Sequence, residues 1–181
     1  MDKKNSTKVF LAESLRVLIQ RMPFQSITIK KICDEAGVVR VTFYNYFVDK
    51  YDALDYLIQN DLNDEYCISE SDPVQSFLIQ LAKVLSKHRK FYEIASEIDG
   101  QNGFMEIFIA RMKDELMKIL RNHRKNTPET RDIDNAMLAE TYAVMIYYFV
   151  MRWLKNHHKK EEDFLKDALL MSKSCLYDFV E

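Results

Sequence analysis

Residues 24–50 read FQSITIKKICDEAGVVRVTFYNYFVDK. Within them Ile29, Ile32, Cys33 and Ala36 recur at spacings of three and four, the period of one helix face. Thr28 stands just before that stripe, where its hydroxyl can accept from a free backbone N–H one turn ahead. Lys31 occupies the position where a reciprocal capping box needs Glu or Gln, so the cap is single. Gly37 closes the helix at a point that calls for a left-handed residue, a conformation glycine adopts without steric cost. A very short helical segment, Arg40 to Phe47, follows. Asp49-Lys50 then opens a longer helix, running to Tyr66, with Tyr51, Leu54, Leu57, Ile58 and Leu62 on one side. Phe43 and Phe47, four apart, share the inward face of their segment.

Outward from this stretch the apolar period stays helical. Val9, Ala12, Leu15, Ile19 and Met22 form a stripe that ends before Pro23. Asp72-Pro73 joins a capping side chain to a proline at the first helical position, ahead of Val74, Phe77, Leu78, Leu81 and Leu85. The register changes at His88, and Phe91, Ile94, Ala95 and Ile98 mark another short helix. Asp99-Gly100 and Asn102-Gly103 have hairpin-turn wording, but no alternating pattern flanks them, so they join helices. Met105, Phe108, Ile109, Met112, Leu116, Ile119 and Leu120 mark a long helix. Thr127-Pro128 repeats the cap-and-proline start for a further long helix through Trp153, and His157 to Lys160 break it. Leu165, Ala168, Leu169, Ser172, Cys175, Leu176 and Phe179 mark the last helix. Three glycines and three prolines in 181 residues are too few for the turns of an all-β protein. The expected fold is all-α, with about nine helices.

Charge divides the chain. Residues 1–50 hold nine Lys/Arg against five Asp/Glu, net +4, and the remainder is net -6. A basic head on an acidic body is the arrangement of a chain whose head meets a polyanion, although ordinary soluble domains also show it. Cys33, Cys67 and Cys175 are odd in number and widely spaced, which fits a reducing compartment. The polar start, Met1 to Thr7, lacks an apolar core for a signal, and the longest apolar run, Tyr142 to Met151, falls well short of the about 20 residues of a membrane span. A cytoplasmic protein without membrane contact is expected. His157, His158, Glu161 and Glu162 lie among lysines at a helix break, where solvated side chains are the rule, so no metal site is expected. His88 and His123 read as surface residues. No phosphate-cradling loop, nucleophile elbow or H-E-x-x-H occurs, which argues against an enzyme and against a cofactor.

Two short helices around a glycine turn on a basic head have the shape of a helix-turn-helix, whose second helix enters a major groove. The segment Phe24-x-x-Ile27-Thr28-Ile29-x-x-Ile32-x-x-x-Ala36-Gly37-Val38-x-x-x-Thr42-Phe43-Tyr44-x-Tyr46-Phe47-x-x-Lys50 resembles the DNA-binding signature of the TetR family of transcriptional regulators. The resemblance covers residues 8 to 54. It implies a three-helix DNA-binding domain at 1–50 and an effector-binding and dimerisation domain at 51–181. It also implies roles: Thr28 and Lys30 face the phosphate backbone, and Arg40 opens the recognition helix, where a guanidinium can bridge O6 and N7 of guanine. Val41 and Thr42 come next, with methyls for a thymine methyl and a hydroxyl for a phosphate. Tyr44 and Tyr46 extend phenols toward phosphates, and Lys50 adds charge at the head of the fourth helix. Read without the family, Lys30 and Lys50 are ordinary solvated charges and Tyr44 is packing. In one respect the chain departs from the pattern: Val39 stands where the family places serine or another cap former. Losing an N-cap costs about 0.5–2 kcal/mol of helix stability, so a loosely held recognition helix is expected.

In the body, Tyr142 to Leu154 with Glu161 to Leu176 resembles the C-terminal region of DhaS-type members, a subgroup in which some members answer to a protein partner; their signature glycines are absent here. The family implies a homodimer through the last two helices, and the stripes from Ala136 to Trp153 and Leu165 to Phe179 suit a four-helix seam. Such a dimer places two recognition helices about 34–36 Å apart on a near-palindromic double-stranded operator. The family also implies a repressor released by a small apolar or amphipathic effector, and Phe91, Tyr92, Phe104, Phe108, Met112, Tyr142, Tyr147 and Met151 are candidates to line its pocket. Bulky residues at helical spacing are more often simply core, and a body filled by Tyr147-Tyr148-Phe149 favours a protein partner. A helix-turn-helix adaptor or coactivator controlled by such a partner is the alternative function.

Overall fold

The computed structural model describes residues 3–63, 72–100, 102–124, 133–156 and 160–175. Its helices are α1 (Lys3–Ile19), α2 (Ile29–Ala36), α3 (Arg40–Tyr44), α4 (Lys50–Asn63), α5 (Pro73–Lys87), α6 (Arg89–Ala95), α7 (Phe104–His123), α8 (Asn135–Leu154) and α9 (Glu161–Cys175), with one 3-10 turn at Phe24–Ser26. The architecture is all-α, as the apolar period predicts.

Local chemistry sets the ends. The Thr28 hydroxyl accepts from Lys31 N at 3.3 Å, and Gly37 closes α2 at φ 66. Asp49 caps α4, its Oδ1 accepting from Tyr51 N at 2.8 Å and Asp52 N at 2.9 Å, while Asp52 Oδ2 accepts from Val48 N at 2.9 Å. Asp72 accepts from Gln75 N at 2.9 Å ahead of Pro73. Between α6 and α7 the chain turns through Gly100 at φ 97 and Asn102 at φ 63, joining helices as expected.

Four expectations change. The recognition segment is helical only over Arg40–Tyr44, because a five-residue helix without a side-chain cap has little to propagate it. The long helix through Trp153 begins at Asn135, where Asp134 accepts from the N–H groups of Ala136 and Met137; Thr127 and Pro128 lie outside the described residues. Met105 is exposed, and Phe104 and Ile107 take the inward positions. His88 is not a free surface residue, as its Nε2 lies 3.9 Å from Asp61 at the bend between α5 and α6. Tyr66, Cys67, His157, His158, Leu176 and Phe179 lie outside the described residues.

α1 packs on α4 and α2, and α3 rests on α2. α7 and α8 pair along their lengths, and α9 lies against α5. α4 touches α1 on the head side and α5 and α7 on the body side, so one buried cluster runs from Leu11 to Ala168.

At the centre of this junction sits a buried ion pair. Arg16 of α1 donates from Nη1 to Asp61 Oδ2 at 3.0 Å and from Nη2 to Asp61 Oδ1 at 2.6 Å, and both side chains are 5% exposed. Tyr92 of α6 donates its phenol to Asp61 Oδ2 at 2.7 Å, and Glu13 accepts from Arg16 Nε at 2.9 Å. Burial disfavours the charged guanidinium, but the hydrogen bonds and charges of Asp61 and Glu13 outweigh it and hold its pKa above the ordinary value. Burial, then the Asp61 carboxylate, pushes the Tyr92 phenol well above its usual range, so it remains a donor. A second clamp joins α7 to α4, where Arg111 Nε donates to Asp55 Oδ1 at 2.6 Å and Nη2 to Oδ2.

Removing one partner of a buried pair strands the other charge. Asp61→Ala is expected to lower the free energy of unfolding by about 3–5 kcal/mol. Tyr92→Phe, which leaves the ion pair in place, should cost about 1.5–3 kcal/mol. Urea titration at fixed protein concentration measures both, and a loss below that of Tyr92→Phe for Asp61→Ala would contradict this account of the junction.

Candidate nucleic-acid interface

The helix α3 is held from beneath. Phe43 is fully buried and Phe47 nearly so, with ring centroids 5.5 Å apart. These rings fasten the segment to the head and turn its other side chains outward. Arg40 is exposed and makes no ion pair or hydrogen bond among the described residues. Val41 is 71% exposed and Tyr44 54%, the latter set edge-on to Phe43 at 5.7 Å. Thr42 and Tyr46 are half-buried, and Tyr46 packs on the core. Val39 precedes the helix in extended conformation, 71% exposed, and offers no cap hydrogen bond.

The supporting residues behave less uniformly. Thr28 uses a lone pair for its cap, leaving its O–H able to donate. Lys30 is exposed and paired with Asp34 at 2.7 Å, an i,i+4 contact that opens at little cost. Lys50, expected to add charge at the head of the fourth helix, is not an ordinary solvated charge. Its ammonium donates to the carbonyls of Phe24 at 2.7 Å and Ile27 at 3.0 Å, and lies 4.4 Å from the centroid of the Phe24 ring. Burial lowers its pKa, and Asp49 opposes the shift. Two of three N–H donors are thereby occupied, and Lys50 ties the first turn of α4 to the connector between α1 and α2.

The eight candidate pocket residues do not frame one cavity. Phe91, Tyr92, Phe104 and Phe108 pack ring against ring, with centroids 5.0, 6.1 and 5.4 Å apart in that order, and Tyr147 continues the row at 6.2 Å. Met112 and Met151 are buried in the same core. Among the described residues, Tyr142 alone of the eight borders a cavity of about 30 Å³ between α5, α7, α8 and α9, lined also by Val74, Phe77, Leu116 and Phe164. Small-molecule sites typically enclose about 300–1,000 Å³. Neighbouring rings on α6 and rings four apart on α7 meet as packing partners through Tyr92 and Phe104, and the Tyr92 hydroxyl is committed to Asp61.

Reading the sequence passed over Arg16 and Asp61, though a signal was present. Arg16 falls on the same stripe as Ala12, Leu15 and Ile19, and Asp61 on that of Leu57, Ile58 and Leu62. A charge inside an apolar stripe requires a buried partner.

Comparisons with known proteins bear on the family and the fold. The family TetR_C_8, described as "Transcriptional regulator C-terminal region", matches residues 72–171. The dhaKLM operon transcriptional activator DhaS of Lactococcus lactis is 27% identical over 131 residues, spanning 70% of this chain and 67% of that protein. Among solved structures, the dihydroxyacetone kinase operon activator DhaS superposes with a TM-score of 0.68 at 19% identity, over 97% of this chain and 98% of the other. A TetR-family regulator from Syntrophomonas wolfei gives a TM-score of 0.69 at 19% identity, over 95% of each chain. At these identities the two superpositions establish the fold.

Val39→Ser should supply the missing cap, worth about 0.5–2 kcal/mol locally. Amide hydrogen exchange over residues 40–46 is expected to slow in this variant. Equal protection in the two proteins would show that α3 gains nothing from a side-chain cap.

Proposed function

The chain belongs to the TetR family of transcriptional regulators, and on that premise we propose that it binds a near-palindromic double-stranded DNA operator as a homodimer and represses by occupying it. Residues 1–50 form the DNA-binding unit in this reading, and residues 51–181 the effector-binding and dimerisation unit. The observation that carries it is the exposed face of α3: Arg40, Val41 and Tyr44 stand clear of a head of net charge +4, while Phe43 and Phe47 anchor them from below. Arg40 reads a base edge. Thr28, Lys30, Thr42, Tyr44, Tyr46 and the remaining N–H of Lys50 meet phosphates.

Dimerisation through α8 and α9 is supported by the composition of α8. That helix packs on α7 and buries Leu138, Tyr142 and Ile146, yet Met137 and Tyr148 are exposed, as is Leu170 on α9. A helix apolar on both faces needs a second cover. The lever between head and body is α4, held by Arg16 and Arg111. A signal that shifts α6 or α7 bears on both clamps, and a coupling of about 1–3 kcal/mol is enough to release the operator.

Control by a small apolar effector requires the aromatic row of the body to open. A second reading, control by a protein partner, is favoured by that row, because Phe91, Tyr92, Phe104 and Phe108 are spent on packing against one another. The likeness to DhaS, an operon activator, supports the coactivator form of that alternative.

Selection of duplexes from a random library, followed by salt titration and sedimentation, tests the proposal. The chain is expected to sediment as a dimer and to lose affinity steeply as salt rises. Arg40→Ala should weaken binding of the enriched duplex by about 1–3 kcal/mol. A monomer that enriches no sequence at any salt would overturn the reading.

A further inference from the structure

The carbonyls of a helix's last turn lack intrahelical donors. At the end of α8 they are met by Arg89, the first residue of α6. Its Nη2 lies 3.2 Å from the Trp153 carbonyl oxygen, 3.3 Å from that of Leu154 and 3.0 Å from that of Asn156, and the guanidinium lies 4.3 Å from the centroid of the Trp153 ring. Glu93, one turn along α6, accepts from Arg89 Nε at 2.9 Å and holds the fork in this direction. A cation at a helix C-terminus also suits the helix dipole. Trp153 in turn belongs to the corner where α8 meets α9. Its Nε1 donates to the Lys160 carbonyl at 3.1 Å, and its ring lies 5.2 Å from that of Phe164.

The same short helix also grips the head. Three residues past Arg89, Tyr92 donates to Asp61, and the Arg16 guanidinium lies 4.6 Å from the centroid of the Phe91 ring. α6 has seven residues, about 10 Å of helix, and these contacts all fall within one turn of it. Coupling between distant parts of a protein is carried by packed, hydrogen-bonded chains of this kind. We propose that Arg89 is a positioning residue for operator binding, tying the α8–α9 corner to α6 and so fixing how far apart the two heads of a dimer stand. The inference rests on the reading that α8 and α9 form the dimer seam and that α3 enters a major groove. Heads held in this way accept one half-site spacing, because one added base pair moves the second half-site by about 3.4 Å along the duplex and about 34° around it.

Spacer length tests it. The operator enriched by the full-length chain is resynthesised with its spacer lengthened or shortened by one base pair. Dissociation constants are measured for the wild-type chain, Arg89→Ala and Arg89→Lys, with sedimentation and urea titration to follow dimer and fold. The wild-type chain is expected to prefer its best spacer over the neighbouring ones by at least about fivefold, the lower end of ordinary coupling between sites. Arg89→Ala should bring that preference below about twofold while the dimer persists. Arg89→Lys keeps a cation beside the α8 carbonyls but lacks the fork that reaches them and Glu93 together. It should relax the preference as well, and it carries the test if Arg89→Ala does not fold. A preference that is unchanged in a folded, dimeric variant overturns the proposal, even where affinity for every spacer falls alike. Failure of both variants to fold as dimers assigns Arg89 to stability alone and also overturns it. Indifference of the wild-type dimer to spacing does the same while operator binding stands. A wild-type chain that is monomeric, or that enriches no paired half-sites, removes the underlying reading and this inference with it.

Discussion

A guanidinium and a carboxylate, each taken out of water, hold the two halves of this protein in register. Arg16 comes from the first helix of the head, Asp61 from the helix that leaves it, and the phenol of Tyr92 from the body completes the carboxylate's partners. Neither charge is tolerable alone at that depth, so the three helices are obliged to meet at one relative placement. Apolar packing around Leu15, Leu57, Ile58 and Phe91 supplies the bulk of the burial, but packing of that kind slides at modest cost. A bidentate pair does not slide. The direction in which the head faces is thus coupled to the position of α6, and a regulator needs such a coupling if the body is to be heard by the head.

The recognition segment is economical in a different way. Its five helical residues lack a cap and are too few to be stable alone, so tertiary contacts carry them. Phe43 and Phe47 are the contacts that matter, and Lys50 strengthens the frame by bridging two carbonyls of the connector to the first turn of α4. This gives Lys50 a structural duty as well as an electrostatic one. The outward face is left free of internal obligations, and its side chains are available to a partner.

In the body the balance falls toward packing. The aromatic residues that periodicity placed on inward faces occupy one another's space from Phe91 to Tyr147, and Tyr92 spends its polar tip on the junction. The small cavity lies elsewhere, between α5, α7, α8 and α9, against the helices assigned to the dimer seam. The helix α5, which borders that cavity, also meets α4 and α6, the helices that carry Asp61 and Tyr92.

Much was legible in the amino-acid order alone. Thr28, Gly37, Asp49 and Asp72-Pro73 act through hydrogen bonds and backbone angles within a few residues, so the ends of α2, α4 and α5 follow from local chemistry. The inward faces follow from a period of 3.6, and Phe43 and Phe47 are found where it puts them. Other features depend on residues far apart in the chain. Arg16 meets Asp61 across 45 positions, Arg111 meets Asp55 across 56, and Lys50 finds the carbonyl of Phe24 26 positions away. Pattern reading names a charge in an apolar stripe but not its partner, because the partner is chosen by how helices cross. For the same reason, periodicity could count the aromatics of the body while only their packing showed that they are spent on one another.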